Sequence, residues 1–180
     1  GMYAASKHAV KGFTDSLRME LEKEKAQLSV TLVKPAGIDT MFAAHAKNYM
    51  DREPKLPAPV YAPELVADAI LYAAQHPKRD VFVGGAAKFN SSGARFLPRA
   101  FDKYVTATMF KNQKMDIPTD PGRRDALHKP DHTRELRERQ GSPHRVHERS
   151  PYTAAQLRSK QITTALLGGG ALLAAFALSR

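Results

Sequence analysis

The feature that most constrains this chain is the helical periodicity of its first 25 residues. Tyr3, Lys7, Val10, Leu17 and Leu21 recur at a spacing that places them on one side of an α-helix. Such a side forms an apolar stripe, so we expect it to face a core. A lysine inside that stripe is unfavourable unless it has a partner or a chemical role.

Two interpretations of the Tyr3–Lys7 pair are open on geometry alone. A tyrosine at a helix start, beside a lysine that extends its ammonium group to water, is an ordinary structural arrangement. The chemical alternative is that an ammonium group one helical turn away lowers the pKa of a phenol and makes it useful in proton transfer. The ammonium group can also donate a hydrogen bond to a sugar hydroxyl of a bound cofactor.

After this helix the pattern alternates between strands and helices. Residues 29–33 are rich in β-branched side chains and predict a buried strand, which Pro35 ends. A second helix is predicted to begin at Pro63 and to end before Pro77. Residues 80–83 predict a second short strand.

Three segments in this order resemble the short-chain dehydrogenase/reductase family, and together they cover about residues 1–85. The first is the run Tyr3-Ala-Ala-Ser-Lys7 with HAVKGFTDSLRMEL after it. The second is LSVTLVKPAGIDTMF, which is similar to the family's next strand and Pro-Gly loop, although Ala36 stands at the usual glycine and Gly37 follows it. The third is PELVADAILYAAQHPKRDVFVGG.

The resemblance implies an α/β fold, namely the C-terminal portion of a Rossmann-like doubly wound parallel sheet. No Gly-rich turn for a cofactor pyrophosphate occurs in the chain. We therefore expect the chain to be the C-terminal part of a longer protein and to be inactive by itself. The expected division is a partial dinucleotide-binding domain at 1–90, a helical extension at 91–115, a disordered basic linker at 116–160 and an apolar helix at 161–180.

The resemblance also implies an NAD(P)-dependent oxidoreductase that interconverts a carbonyl and a secondary alcohol, leaving NAD versus NADP and the substrate open. Tyr3 would donate or accept the proton, and Lys7 would assist it and hold the nicotinamide ribose. The implied cofactor-binding residues are Tyr3, Lys7, Pro35, Gly37, Ile38 and Thr40. Residues 41–59, which contain methionines and aromatic residues, would cover an apolar or bulky substrate. The alternative is a non-catalytic, membrane-tethered binding or assembly module.

Composition restricts the partners. The formal net charge is +10 and is concentrated after residue 90. Residues 116–160 contain few large apolar side chains, which predicts a poorly ordered linker. Aromatic residues are sparse there and acidic residues are interleaved, so we expect a solvated linker rather than a nucleic-acid site.

The absence of cysteine excludes thiolate metal sites and fits a reducing compartment. We also expect no metal site among the histidines.

The C-terminal residues 162–178 carry no charge and include three consecutive glycines. Because a bilayer core needs about 20 apolar residues, with about 17 as a lower limit, we favour a short membrane anchor over a helix that packs on a soluble core. The expected protein thus has a cytoplasmic catalytic part that is tethered at its C-terminus. The resemblance makes the Tyr-bearing helix a candidate face for a homo-oligomer, while the sequence leaves the oligomeric state open.

Overall fold

The computed structural model describes residues 1–131 and 137–158. These residues form a mixed α/β structure in which helices flank short, mostly parallel strands. The elements follow one another along the chain as α1 (Met2–Lys23), β1 (Leu32–Pro35), β2 (Gly37–Ile38), α2 (Phe42–His45), β3 (Arg52–Pro54), β4 (Val60–Tyr61), α3 (Glu64–Gln75), β5 (Asp80–Val83), α4 (Gly85–Phe96), α5 (Pro98–Asn112), β6 (Lys114–Pro118), β7 (Val146–His147) and α6 (Pro151–Leu157).

Strands β1 and β5 pair in parallel, and the crossover between them contains α3. This βαβ arrangement confirms the predicted α/β class, and β5 occupies the predicted residues 80–83. Strand β1 begins at Leu32 rather than at residue 29 and includes Pro35. Pro35 is tolerated as the last residue of the strand, since Ala36 N supplies the next hydrogen bond, to Val83 O at 2.9 Å.

The core lies between this strand pair and α3. Val81 and Val83 are fully buried because alternate residues of a strand share one face. Ala69 and Ala73 meet them from α3, where residues four apart lie on the same side. Small alanines let the helix approach the strands closely.

A second parallel sheet contains β2, β4 and β7 in the order β2–β4–β7. Tyr61 of β4 packs its ring against Gly84, which follows β5 and has a φ of +86°. A Cβ atom at Gly84 would lie 2.6 Å from the ring carbon Cε2 of Tyr61. Glycine at position 84 therefore permits both the backbone turn and the contact between the two parallel sheets.

The predicted linker over residues 116–160 contains β7 and α6 among its described residues. Helix α6 packs against β5, where Gln156 Oε1 accepts a hydrogen bond from Phe82 N at 3.2 Å and Gln156 Nε2 donates one to Phe82 O at 3.1 Å. Thr153 is 2% exposed, and its Oγ1 accepts from Gly84 N at 2.9 Å. A few polar side chains thus satisfy the edge of β5 without a large apolar surface.

The first helix forms as the periodicity predicts, and its N-terminal half is exposed in this chain. Tyr3 is 63% exposed and Val10 is 53% exposed, and Lys7 is exposed as well. The buried residue of α1 is Thr14, while Leu17 is half-buried. The apolar stripe at the N-terminal half of α1 is thus largely uncovered among the described residues.

Within residues 1–131 and 137–158, no helix has both the length and the apolar character needed to cross a bilayer. The predicted apolar helix at 161–180 lies outside the described residues, so the membrane anchor stays a prediction from the sequence.

We predict that Gly84→Ala lowers the free energy of unfolding by about 2–4 kcal/mol, because alanine is strained at this φ and its methyl group overlaps the Tyr61 ring. The matched control is Gly12→Ala in α1, where a Cβ atom meets nothing within 4 Å. It should raise stability by about 0.5–1 kcal/mol, since alanine favours helix more than glycine does. Urea denaturation measures both. Equal effects of the two substitutions would contradict the proposed Gly84–Tyr61 packing.

Candidate functional site

The candidate site forms where the main chain leaves one sheet and enters the next. Ala36 N still bonds Val83 of β5, whereas Gly37 already pairs with Val60 of β4. The carbonyl oxygens of Pro57 and Pro59 would lie 3.4 and 3.5 Å from a Cβ atom at Gly37. This crossing separates the residues after β1 from α1 and leaves a cavity between them.

The cavity has a volume of about 810 Å³, within the range of about 300–1,000 Å³ typical of small-molecule sites. Its walls come from four parts of the chain. These are the start of α1, the turn after β1 (residues 36–40, which include β2), the segment that follows this turn (residues 42–57) and Gln113, the residue after α5. The lining of the cavity is mostly apolar and includes Tyr3, Pro35, Gly37, Ile38, Thr40, Phe42, Tyr49, Met50 and Gln113.

Tyr3 stands at the boundary between this cavity and a neighbouring cleft. Its ring lies 6.1 Å from the Phe42 ring, centroid to centroid. On the other side, Lys7 Nζ lies 5.3 Å from the centroid of the Tyr3 ring. Lys7 lines the neighbouring cleft, which has a volume of about 450 Å³, together with Tyr3 and Pro35. The ammonium group is therefore placed over the ring, one helical turn from the cavity.

Of the site residues that the sequence predicts, five border one cavity and one borders the cleft beside it. Tyr3, Pro35, Gly37, Ile38 and Thr40 line the cavity. Lys7 lines the adjacent cleft, and Tyr3, Pro35 and Ala36 are shared by the two. Tyr3 and the turn after β1 are separated by more than an entire helix in sequence, so this juxtaposition is a product of the fold.

Successive side chains of the turn after β1 lie alternately on the cavity side and on the opposite side of the main chain. Ile38 and Thr40 line the cavity, whereas Asp39 between them is 2% exposed and lines a small space on the other side with Ser142. The Oδ1 atom of Asp39 is buried and has no hydrogen-bond partner within the described residues. Asp39 N donates to Tyr61 O at 3.0 Å, which fixes the turn against β4.

The segment predicted to cover the substrate contributes Phe42, Tyr49 and Met50 to the cavity wall. Met41 and His45, which belong to the same predicted segment of residues 41–59, are not lining residues of this cavity. Asn48 holds the segment in place, because its Nδ2 donates to Thr119 Oγ1 at 2.7 Å and its Oδ1 accepts from Met50 N at 3.0 Å.

Arg123 supports the same segment, a role that no sequence pattern predicts. Its guanidinium donates to the carbonyl oxygens of Ala43 and Ala46, each at 2.6 Å, and to Glu53 Oε2 at 3.1 Å. The carbonyl oxygens at the end of α2 are left without helical partners, so an arginine there satisfies them. Gln113 is a second unpredicted wall residue, and its carbonyl accepts from Lys55 N at 2.9 Å.

A cluster of charges fixes α1 relative to β5. Asp15 accepts from Lys11 at 2.7 Å, and its other carboxylate oxygen meets Arg18 at 2.8 Å and Arg79 at 2.7 Å. Arg18 also donates to the carbonyl oxygens of Val30 and Arg79. The hydrogen bond from Lys11, assisted by the charges of Arg79 and Arg18, holds the pKa of the Asp15 carboxyl below its ordinary value.

Comparison with known proteins points to a family. The short chain dehydrogenase family matches residues 1–50. The chain is related to the short-chain dehydrogenase/reductase family. The uncharacterized oxidoreductase YxnA of Bacillus subtilis is 43% identical over 127 residues, which are 70% of this chain and 36% of YxnA.

Two further relatives agree. SadH of Mycobacterium tuberculosis, also named as an oxidoreductase, is 31% identical over 120 residues, 61% of this chain and 42% of SadH. Dehydrogenase/reductase SDR family member 11 of Homo sapiens is 32% identical over 81 residues, 42% of this chain and 30% of that protein. The chain thus spans well under half the length of these relatives. No solved structure matches the chain at a significant level.

Metal chemistry has no evident location in the part of the chain that the structure covers. No group of three or more His, Asp or Glu side chains is placed there to hold a metal ion.

We predict that Asp15→Asn lowers the midpoint of urea denaturation at neutral pH, because it removes a carboxylate that three cations share. A carboxyl whose folded pKa is depressed contributes stability that is present above its unfolded value of 3.8 and is lost as the pH falls through the folded pKa. The difference in urea midpoint between the parent protein and Asp15→Asn should therefore be constant near neutrality. It should begin to shrink below about pH 4, as the carboxyl becomes protonated.

The matched control is Asp68→Asn, which changes an exposed carboxylate of α3 and should follow the parent at every pH. A difference in midpoint for Asp15→Asn that keeps its size at pH values well below 3.8 would show that the carboxylate charge does not hold α1.

Proposed function

We propose that the protein containing this chain is an NAD(P)-dependent oxidoreductase that interconverts a carbonyl and a secondary alcohol. The observation that carries the proposal is that Tyr3 and the turn at residues 35–40 border one cavity. Kinship with proteins named as oxidoreductases supports the same reaction class.

Tyr3 is the proton donor or acceptor in this proposal. Its phenol is the acid–base group at the cavity, and a positioned side chain of this kind contributes roughly 10²–10⁴-fold to a rate. Lys7 lies one turn further along α1, with its ammonium group 5.3 Å from the centroid of the Tyr3 ring. In this proposal the ammonium group assists Tyr3 electrostatically and donates a hydrogen bond to a ribose hydroxyl.

The turn after β1 holds the nicotinamide in this proposal. The residues that would bind the cofactor are Tyr3, Lys7, Pro35, Gly37, Ile38 and Thr40. Ile38 supplies an apolar surface for a flat ring and Thr40 a hydroxyl for an amide, and both line the cavity. The nicotinamide, when bound, supplies or accepts the hydride.

The rest of the cavity suits an apolar substrate. Phe42, Tyr49 and Met50 form its outer wall, and a methionine beside aromatic rings adapts to substrates of varied shape. Asn48 and Arg123 keep this wall in place through their hydrogen bonds to the main chain. We therefore propose a bulky, apolar carbonyl compound or alcohol as the substrate class.

A non-catalytic binding module is the second candidate, and the 63% exposure of Tyr3 favours it. An acid–base residue works best when water is excluded around it. Turnover and its dependence on Tyr3 separate the two candidates.

We predict that Tyr3→Phe, made in the protein that contains this chain, lowers kcat roughly 10²–10⁴-fold, while the Kd for NAD(P)H changes by less than a few fold. The reason is that the substitution removes the phenolic hydroxyl and keeps the ring contact with Phe42. Stopped-flow measurement of NAD(P)H oxidation and fluorescence titration of cofactor binding give the two quantities.

The control is Tyr72→Phe in α3. The Tyr72 ring stacks on the His76 ring at a centroid distance of 4.4 Å and does not line the cavity. This variant should keep kcat near that of the parent. Normal turnover by Tyr3→Phe would exclude the proton-transfer role. Absence of turnover in the parent with every carbonyl tried, together with normal cofactor binding, would favour the binding module.

A further inference from the structure

Helices α4 and α5 form a hairpin whose tip is exposed. The tip consists of Arg95, Phe96, Leu97, Pro98 and Arg99, all of them exposed. Phe96 is 71% exposed and Leu97 is 66% exposed. Two adjacent large apolar side chains exposed at the tip of a hairpin are unfavourable in water, so the tip is a candidate docking surface.

The hairpin is closely packed on its inner side, which makes the tip a defined feature. Phe89 and Phe101 lie 6.2 Å apart, and each lies 6.0 Å from Tyr104, centroid to centroid. A Cβ atom at Gly93 would lie 2.5 Å from the Phe101 ring, so the glycine lets the two helices approach. The aromatic cluster therefore fixes the helices, while Phe96 and Leu97 take no part in it.

Positive charge surrounds the apolar tip. Residues 85–112 contain five basic side chains and one acidic side chain, Asp102. Arg95 and Arg99 flank the two apolar residues directly, and the Arg95 guanidinium lies 5.6 Å from the centroid of the Phe96 ring. The remaining basic residues are Lys88, Lys103 and Lys111, each of them exposed.

The charge and the apolar tip together select one occupant. A second copy of this hairpin would bring the same excess of positive charge and would be repelled. A nucleic acid would pair with the basic groups but would leave Leu97 in water. A bilayer with anionic headgroups satisfies both, because it accepts apolar side chains below the headgroups and neutralises Lys and Arg at their level.

We propose that the α4–α5 hairpin is a docking surface for anionic membranes, with Phe96 and Leu97 inserted among the acyl chains and Arg95 and Arg99 paired with phosphate groups. The proposal stands independently of the catalytic function. It is also distinct from any anchor at residues 161–180, since it uses a different part of the chain.

The chain contains no tryptophan, so one substitution reports on one place. In the full chain, Phe96→Trp should show a blue-shifted emission on addition of phosphatidylcholine–phosphatidylglycerol vesicles and quenching by brominated acyl chains. Pure phosphatidylcholine should give a much smaller change, and salt should reverse the effect because surface charges are screened. Adding Arg95→Gln and Arg99→Gln should weaken partitioning roughly tenfold or more.

The matched control is Phe13→Trp on α1, where the parent phenylalanine is 69% exposed; its emission should not respond to vesicles. If residues 161–180 alone hold the chain on vesicles, the protein will float with them while Phe96→Trp keeps its emission, which overturns the proposal. Equal shifts for Phe96→Trp and Phe13→Trp, or the same shift with duplex DNA, would overturn it as well.

Discussion

The structure depends on the passage of one short stretch of main chain between two sheets. Ala36 N completes the pairing of β1 with β5, and Gly37 begins the pairing of β2 with β4. Because the chain bends away from the first sheet at this point, space opens beside the N-terminal end of α1. Gly84 makes the crossing compact, since it lets the Tyr61 ring of β4 lie against the end of β5. Tyr3, Ile38 and Thr40 meet around a cavity as a result.

The later part of the chain stabilises this arrangement with polar contacts. Gln156 pairs with both backbone groups of Phe82, as a neighbouring strand would, and closes the edge of β5. Arg123 reaches back to the carbonyl oxygens at the end of α2 and thereby supports the outer wall of the cavity. Both residues belong to a basic, polar segment, so composition alone does not decide whether a segment is ordered. A small number of well-placed hydrogen bonds to unpaired backbone groups is sufficient.

Local signals in the sequence predicted what local interactions determine. Pro63 and His76 mark the limits of α3 correctly, and the Tyr3–Lys7 spacing placed both residues on one helix. A local signal for α6 was also present, because Ser150 accepts a hydrogen bond from Thr153 N as an N-cap. The charged and polar residues around this N-cap made the whole segment resemble a disordered linker. Arg123 and Gln113 could not have been predicted, since they act on main-chain groups more than fifty residues away in sequence. The exposure of Tyr3 was equally unpredictable, because periodicity shows that a face is apolar and not what covers it.

The proposed function requires the turn at residues 36–40, which borders the same cavity as Tyr3, to receive the nicotinamide ring. Methyl NMR with labelled isoleucine tests this most directly, because Ile38 lies in the cavity whereas Ile70 and Ile117 are exposed on α3 and β6. When the protein that contains this chain is titrated with NAD(P)H, we expect a ring-current shift of the Ile38 δ1-methyl signal and unchanged signals for Ile70 and Ile117. A saturating titration that leaves Ile38 unmoved, or that moves Ile70 and Ile117 equally, would contradict it.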